Sequence, residues 1–280
     1  MGEAGELAGG LYVVSVPIGS ARDITLRALD VLQAADAIAA EDTRVTRKLM
    51  EIHGIALNGR PLIPYHDHNG AAQRPRLLAM LADGKAVAQV SDAGTPLVAD
   101  PGFALSRAAA AAGHPVHAVP GASAVLAALV VAGLPSDRFL FAGFLPGTAA
   151  ARDTALEELR DVPATLVFFE TARRCLESLR ALADKLGGAR QAAVCRELTK
   201  RFEETRRGTL DELIGSVEAD PPRGEIVILV DRNRAAAGPE ARDAMLKEAL
   251  KTMTLKDAAQ HVAEALKLPR RDVYQAALEI

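Results

Sequence analysis

Tryptophan is missing from the 280 residues, and aromatic residues make up only 4%. Any core must therefore be built from aliphatic side chains and alanine. With 49% hydrophobic and 25% charged residues, the balance is that of an ordinary globular chain. Cysteine is scarce too. Cys175 and Cys195 lie in apolar or mixed segments without metal-type spacing, so free buried thiols are expected, not a disulfide framework. No apolar run is long: the longest, Ala122 to Leu134, is too short to span a bilayer and is bracketed by Gly121 and Pro135. The opening MGEAGELAGG has no apolar stretch behind a positive flank and so does not read as a signal peptide. Glu6 also stands where a myristoylation signal needs serine or threonine. A cytoplasmic protein with no membrane association is expected. Neither charge sign dominates. A net charge of −3 excludes a broadly basic nucleic-acid coat but leaves room for a local basic patch. Finally, G-x-G-x-x-G does not follow the first strand-like run and G-x-x-x-x-G-K-[ST] occurs nowhere, which disfavours nicotinamide dehydrogenases and P-loop NTPases.

What is present is alternation. LYVVSV (11–16), AIAA (37–40), PLIPY (61–65), AVAQV (86–90) and PVHAV (115–119) read as strands. Between them lie helical patterns, the first capped by Asp23 with Ile24, Leu26, Ala28, Leu29, Val31 and Leu32 on a largely buried helix. Helices are also expected near 45–52, 71–82, 103–112 and 122–133. This order implies a mostly parallel sheet covered on both faces. RFLFAGFLPG (138–147) reads as the last strand of that unit, followed by a Gly/Pro joint. A second unit then has strands at 165–169, 191–198 and 225–230, with helices near 152–160, 172–186 and 209–217. AAAGPEA (235–241) has the composition of a linker. Beyond it, Thr254 caps a helix over 255–266, and KLPR turns into a last helix carrying Tyr274, Ala277 and Leu278. The expected division is an α/β domain over 1–143, a second over 144–233 with a mixed sheet, and a small helix-turn-helix-like unit over 241–280.

The strand-end loops carry the chemistry. SDAGTPLVADPG (91–102) is rigid, glycine-dependent and free of positive charge, and so suits a ligand that is not strongly anionic. VPIGSARD follows the first strand, and VPGASA (119–124) ends in Ser123, a helix cap or a ligand contact. AEDTRVTRKL (40–49) places Glu41, Asp42, Arg44 and Arg47 at a strand end, which is either a solvated helix start or part of a site. YHDHN (65–69) pairs His66 with His68 but lacks a third ligand at recognisable spacing, so no metal is expected. CRELTKRFEETRRGTL (195–210) is the densest charged run, fit for a solvated face or for an RNA backbone.

Taken in order, VSVPIGSARDITLRA, AAEDTRVTRKLM, PYHDHN, VSDAGTPLVADPGF, VPGASAVLAALVVAGLP, FAGFLP, CRELTKRFEETRRGTL and RGEIVILV resemble the bacterial small-subunit ribosomal RNA cytidine 2′-O-methyltransferases of the tetrapyrrole-methylase superfamily. The match runs from residue 11 to about 232, and the tail looks like the small helical domain many members carry. The resemblance implies a two-domain tetrapyrrole-methylase-like α/β fold with S-adenosylmethionine folded into the cleft between domains. It assigns Pro17, Asp92, Ala93, Gly94, Thr95, Pro96, Val98, Ser123, Ala124 and Leu145, with residues near Phe168 and Gly224, to that cofactor. Its implied substrate is a decoding-region cytidine of 16S rRNA. The catalytic candidates are Asp42 and Glu197, as base or orienter, with Arg44 and Lys200. Arg47, His66, His68, Arg196 and Arg201 are the substrate-binding candidates. The family suggests a homodimer.

Two positions depart from the family pattern. Ser20 stands where asparagine is common, and Glu170-Thr171-Ala172-Arg173-Arg174 replaces a Glu-Ala-Pro-His-Arg run, so no catalytic role carries over to that turn. Two other readings stay open at this point: a tetrapyrrole carbon methyltransferase, and a non-catalytic RNA-binding assembly factor.

Overall fold

Short runs of alanine and β-branched residues form the first sheet because they are buried on both faces, as a parallel sheet between helices requires. The computed structural model describes residues 7–66, 68–98, 103–232, 239–266 and 268–280. The strands are β1 (Gly10–Val14), β2 (Ala37–Ala40), β3 (Leu62–Pro64), β4 (Ala86–Val90) and β5 (Val116–Val119). They are all parallel, in the order β3-β2-β4-β1-β5. Helices α1 (Leu26–Ala34), α2 (Thr43–Ile52), α3 (Gly70–Ala82), α4 (Phe103–Ala111) and α5 (Ala124–Ala132) connect them. Pro64 falls on the edge strand, where its missing N–H costs no ladder bond.

Thr25, not Asp23, caps α1: its hydroxyl accepts the Ala28 amide, while Asp23 closes a short 3-10 turn. Leu26 is 80% exposed because Ala28, Leu29, Val31 and Leu32 form the face of that helix turned to the core. The strand expected to end the first sheet, β6 (Phe139–Phe144), opens the second instead, by pairing with β7 (Thr165–Thr171). That sheet is mixed, in the order β6-β7-β10-β8-β9, with β8 (Gln191–Arg196), β9 (Glu204–Thr209) and β10 (Glu225–Val230). Only the β6–β7 pair is parallel. Helices α6 (Ala149–Leu159), α7 (Cys175–Leu186) and α8 (Leu210–Ala219) complete the unit. α6, α7 and α8 supply one core of this unit, while α5 of the first unit packs against the other face of its sheet.

Cys175 and Cys195 are free and buried. Burial, with Glu170 nearby, pushes the Cys175 thiol up to about 12. The tail holds three helices, α9 (Pro239–Ala249), α10 (Leu255–Leu266) and α11 (Arg270–Glu279), which share a core of their own. The expected linker 235–241 thus runs into α9, while 235–238 lie outside the described residues. Thr254 caps α10 as expected, accepting the Asp257 amide.

Helix α8 begins with a reciprocal capping box. The Thr209 hydroxyl accepts the Glu212 amide at 3.2 Å, and the Glu212 carboxylate accepts the Thr209 amide at 2.7 Å. Thr209→Ala is expected to lower unfolding free energy by about 1 kcal/mol, read as a shifted denaturation midpoint. An unchanged midpoint would show that the box adds nothing.

Candidate functional site

Loops leaving three adjacent strands, β4, β1 and β5, meet at the carboxyl edge of the first sheet, where open α/β sheets bind ligands. Val16 and Gly94 exchange backbone hydrogen bonds of 2.8 and 3.1 Å, joining the first two loops. The Thr95 hydroxyl lies 3.0 Å from the Ser15 hydroxyl and donates to the Ala122 carbonyl at 3.0 Å, which ties in the third. Gly94 has φ +75, and a Cβ there would lie 3.3 Å from the Ile18 side chain. Glycine meets both demands without strain.

A cavity of about 380 Å³ opens between these loops and the second sheet, within the usual range for small-molecule sites. Its first wall is Ile18, Ala93, Gly94, Thr95, Val98, Ser123 and Ala124; its second is Phe144, Phe169, Glu170, Thr171 and Gly224 to Val227. Among the described residues, no lysine, arginine or histidine lines it. Such a lining suits a neutral or cationic ligand with apolar surface and does not suit a phosphate. Ser123 occupies the N-cap position of α5 but makes no capping bond, which leaves its hydroxyl for a ligand. Glu170, 3% exposed, accepts from the Ser178 hydroxyl at 2.6 Å and the Thr171 amide at 2.8 Å, so its carboxylate is held in place.

A turn between β8 and β9 clasps the mouth. The Glu197 carboxylate accepts the Glu225 amide and the Lys200 ammonium, each at 3.0 Å, and Lys200 also reaches Glu225 at 2.7 Å. The Thr199 hydroxyl accepts the Ser20 amide at 3.1 Å, which links the clasp to the first loop. A Cβ on Gly224 (φ +85) would stand 2.3 Å from the Glu197 carboxylate, so glycine is required there. Glu197 and Thr199 themselves have φ values of 48 and 63. Such left-handed residues cost on the order of 1–3 kcal/mol each, and they gather where surrounding structure and function over-determine them. The Glu225 amide, then Lys200, hold the Glu197 carboxyl below its usual range. Burial alone would push Lys200 down; its bonds to Glu225 and Glu197 outweigh that and raise it.

In the first unit, Asp42 is the N-cap of α2 and accepts the Arg44 amide at 2.8 Å. Arg44 also chelates its carboxylate at 3.0 and 3.1 Å, and this pairing pulls the Asp42 carboxyl from 3.8 to about 2. The Asp42 amide donates to Asp92, and the Asp92 amide to Glu41, so the loops after β2 and β4 are stitched together.

Several expected positions lie elsewhere. Phe168 points into the second core, fully buried, and Phe169 faces the cavity instead, because successive strand residues alternate sides. Pro17 and Asp92 line a neighbouring depression under α2 rather than the cavity. Pro96 is buried, and Leu145 joins the second core beside the lining residue Phe144. Arg196 pairs with Glu204, its partner across β8 and β9, at 2.7 Å. Arg206 is held by Glu204 and Asp220, and Arg207 by the Val131 carbonyl. The basic run is therefore largely a strand stapled to its neighbours. Arg201 stays exposed, its guanidinium 5.4 Å from the centre of the Phe202 ring, and Phe202 is 63% exposed. Arg47 is exposed on α2, and the His66 and His68 rings meet edge-on at 5.9 Å. The sequence reading reached the second wall only as the neighbourhoods of Phe168 and Gly224 and did not single out Phe144, Phe169 or Ile226; the period-two alternation of β7 was the available signal.

Residues 10–214 match the tetrapyrrole (corrin/porphyrin) methylases, and residues 236–280 match the RsmI C-terminal HTH domain. The chain is 49% identical to the ribosomal RNA small subunit methyltransferase I of Mesorhizobium japonicum, over 96% of this chain and 92% of that protein. With the protein of the same name from Erythrobacter litoralis it shares 50% identity, covering 98% and 96%. Among solved structures, the uroporphyrin-III-C-methyltransferase of Thermus thermophilus superposes with a TM-score of 0.55 at 25% identity, covering 82% of this chain and 97% of that one.

Proposed function

Since the chain belongs to the tetrapyrrole methylase family, among its ribosomal RNA small subunit methyltransferases I, we propose that it methylates the ribose 2′-oxygen of a cytidine in the decoding region of 16S rRNA. The observation that carries this reading is the interdomain cavity. It is rich in backbone, without basic side chains among its described lining, and flanked by a clasp whose Arg201 and Phe202 face solvent. S-adenosylmethionine fits it: a sulfonium and an adenosine without phosphate match the apolar walls and the free Ser123 hydroxyl. Bound there, it supplies an electrophilic methyl group whose leaving group departs neutral.

The chain's part is to place the nucleophile. A site that holds the ribose rigidly beside the donor would contribute up to roughly 7–11 kcal/mol through alignment alone. Asp42 and Glu197 both stay ionised with acceptor positions already engaged, and a general base works best with a pKa near the operating pH. They therefore act as orienters, Asp42 setting Arg44 and Glu197 setting Lys200, and these cations meet RNA phosphates. Phe202, with Arg201 beside it, offers a face on which an unstacked base can stack, and the exposed Arg47 of α2 is available to the substrate backbone. Leu126 and Val130 on α5, 53% and 84% exposed, suit a homodimer contact. No described helix is long and apolar enough to cross a membrane, and a ribosomal substrate puts the enzyme in the cytoplasm.

A carboxylate with a depressed pKa contributes stability above its unfolded value and loses it as the pH falls through the folded one. For Asp42 that window lies between 3.8 and about 2. The methylation rate is therefore expected to show no ionisation from Asp42 or Glu197 between about pH 5 and pH 9. An acidic limb in that range that disappears in Asp42→Asn would overturn the orienter role. For the reaction itself, the protein is incubated with methyl-labelled S-adenosylmethionine and either unmethylated small ribosomal subunits or uroporphyrinogen. Label in the rRNA is expected; label in the tetrapyrrole alone would contradict the proposal.

A further inference from the structure

A second concavity, of about 590 Å³, lies on the outer side of the cofactor cavity, between the start of α7 and the turn before β10. Gly224 lines both, and the chain passes from one to the other between Thr171 and Arg173, so the two are neighbours across that wall. Three arginines, Arg173, Arg180 and Arg223, line it against a single carboxylate, Glu218. Glu218 is paired with Arg180. Arg173 and Arg223 are exposed and make no hydrogen bond or ion pair with any described residue. The amino end of α7, whose partial charge is positive, opens into the same groove through Leu176. Unlike the arginines of β9, which are spent on Glu204, Asp220 and Val131, this pair has no side-chain partner among the described residues.

We propose that this groove is a second RNA subsite, in which Arg173 and Arg223 grip the phosphodiester backbone of the strand leading away from the methylated nucleotide. This rests on the reading that the cavity beside it acts on rRNA. A planar guanidinium donates two parallel bonds to one phosphate, and two such forks at the sides of a channel set the direction in which a strand runs. The division of labour is physical. The cavity that excludes phosphate receives the methyl donor, and the adjoining groove with uncompensated positive charge receives the polyanion. The chain's overall net charge of −3 is compatible with RNA binding because the cations are placed where the strand must pass. Backbone contacts of this kind position the substrate without reading its sequence.

The test compares the full chain with Arg173→Gln/Arg223→Gln and with Arg173→Lys/Arg223→Lys. Affinity for unmethylated small ribosomal subunits is measured by filter binding over a salt series, alongside methylation kinetics and S-adenosylmethionine affinity. The glutamine pair is expected to bind subunits about tenfold more weakly. Its salt slope should fall by roughly 1.4–1.8, at about 0.7–0.9 per lost phosphate contact. Methyl-donor affinity and kcat at saturating subunits should not change, and the lysine pair should keep the slope. Unchanged subunit affinity and slope in the glutamine pair would overturn the subsite, as would an equal loss in the lysine pair. A wild-type chain that binds subunits with this salt dependence yet methylates none would refute the proposed reaction and leave the groove standing.

Discussion

Gly94→Val is expected to weaken S-adenosylmethionine binding by roughly a hundredfold or more while leaving the chain folded. The first change at this position falls on stability, and the other two fall on the ligand. A non-glycine residue at φ +75 is strained by about 1–3 kcal/mol. A Cβ would approach Ile18 to 3.3 Å, and Ile18 is itself a wall of the cavity. The branched methyls would then occupy space the ligand needs, next to the backbone bridge to Val16 that fixes the loop. About 3 kcal/mol of lost ligand contact corresponds to the stated factor. Calorimetric titration reads the affinity, and circular dichroism confirms folding. Gly94→Ala, which carries the strain without the branched methyls, should fall between the variant and the parent. Parental affinity in a folded valine variant would remove this loop from the binding site.

The second large effect separates two neighbouring phenylalanines. Phe168 is fully buried in the second core with Leu166, Leu179 and Ile228, so Phe168→Ala should cost about 3–5 kcal/mol of stability. A typical domain has only about 5–15 kcal/mol to lose, so the unfolding midpoint should drop steeply. Phe169 faces the cavity and packs edge-on against Phe141 and Phe144 at 4.7 and 5.7 Å. Phe169→Ala should lower methyl-donor affinity more than stability. The reverse assignment, with Phe168→Ala nearly neutral for folding, would mean that the register of β7 is wrong.

That pair also shows where sequence reasoning reaches its limit. The first wall of the cavity was legible because its residues sit in glycine- and proline-marked turns directly after strand-like runs, and such turns gather at one edge of a parallel sheet. The second wall is made of strand residues. Whether Phe168 or Phe169, or Ile226 or Leu229, faces the ligand depends on how an antiparallel sheet packs against the first unit, and an apolar run does not reveal this. Strand β9 was hidden for a different reason. ETRRGT looks like a solvated charged run until Glu204 and Asp220 are seen to neutralise Arg206 and the Val131 carbonyl to hold Arg207. Helix α9 followed a stretch whose composition suggested only a linker. Asp23 offered a plausible cap and lost to Thr25 because a 3-10 turn intervenes, a detail no periodicity encodes. The basic groove at Arg173 and Arg223 was invisible because its two arginines lie fifty residues apart and meet only through the β7–β10 pairing.

The central claim, ribose methylation of small-subunit rRNA, is tested most directly by locating the transferred methyl. Unmethylated small subunits are labelled by the protein and methyl-labelled S-adenosylmethionine, and the rRNA is digested to nucleosides and separated. The account predicts a single labelled product, 2′-O-methylcytidine, from one position in the decoding region. Label on a base carbon or nitrogen, or on another nucleoside, would contradict it.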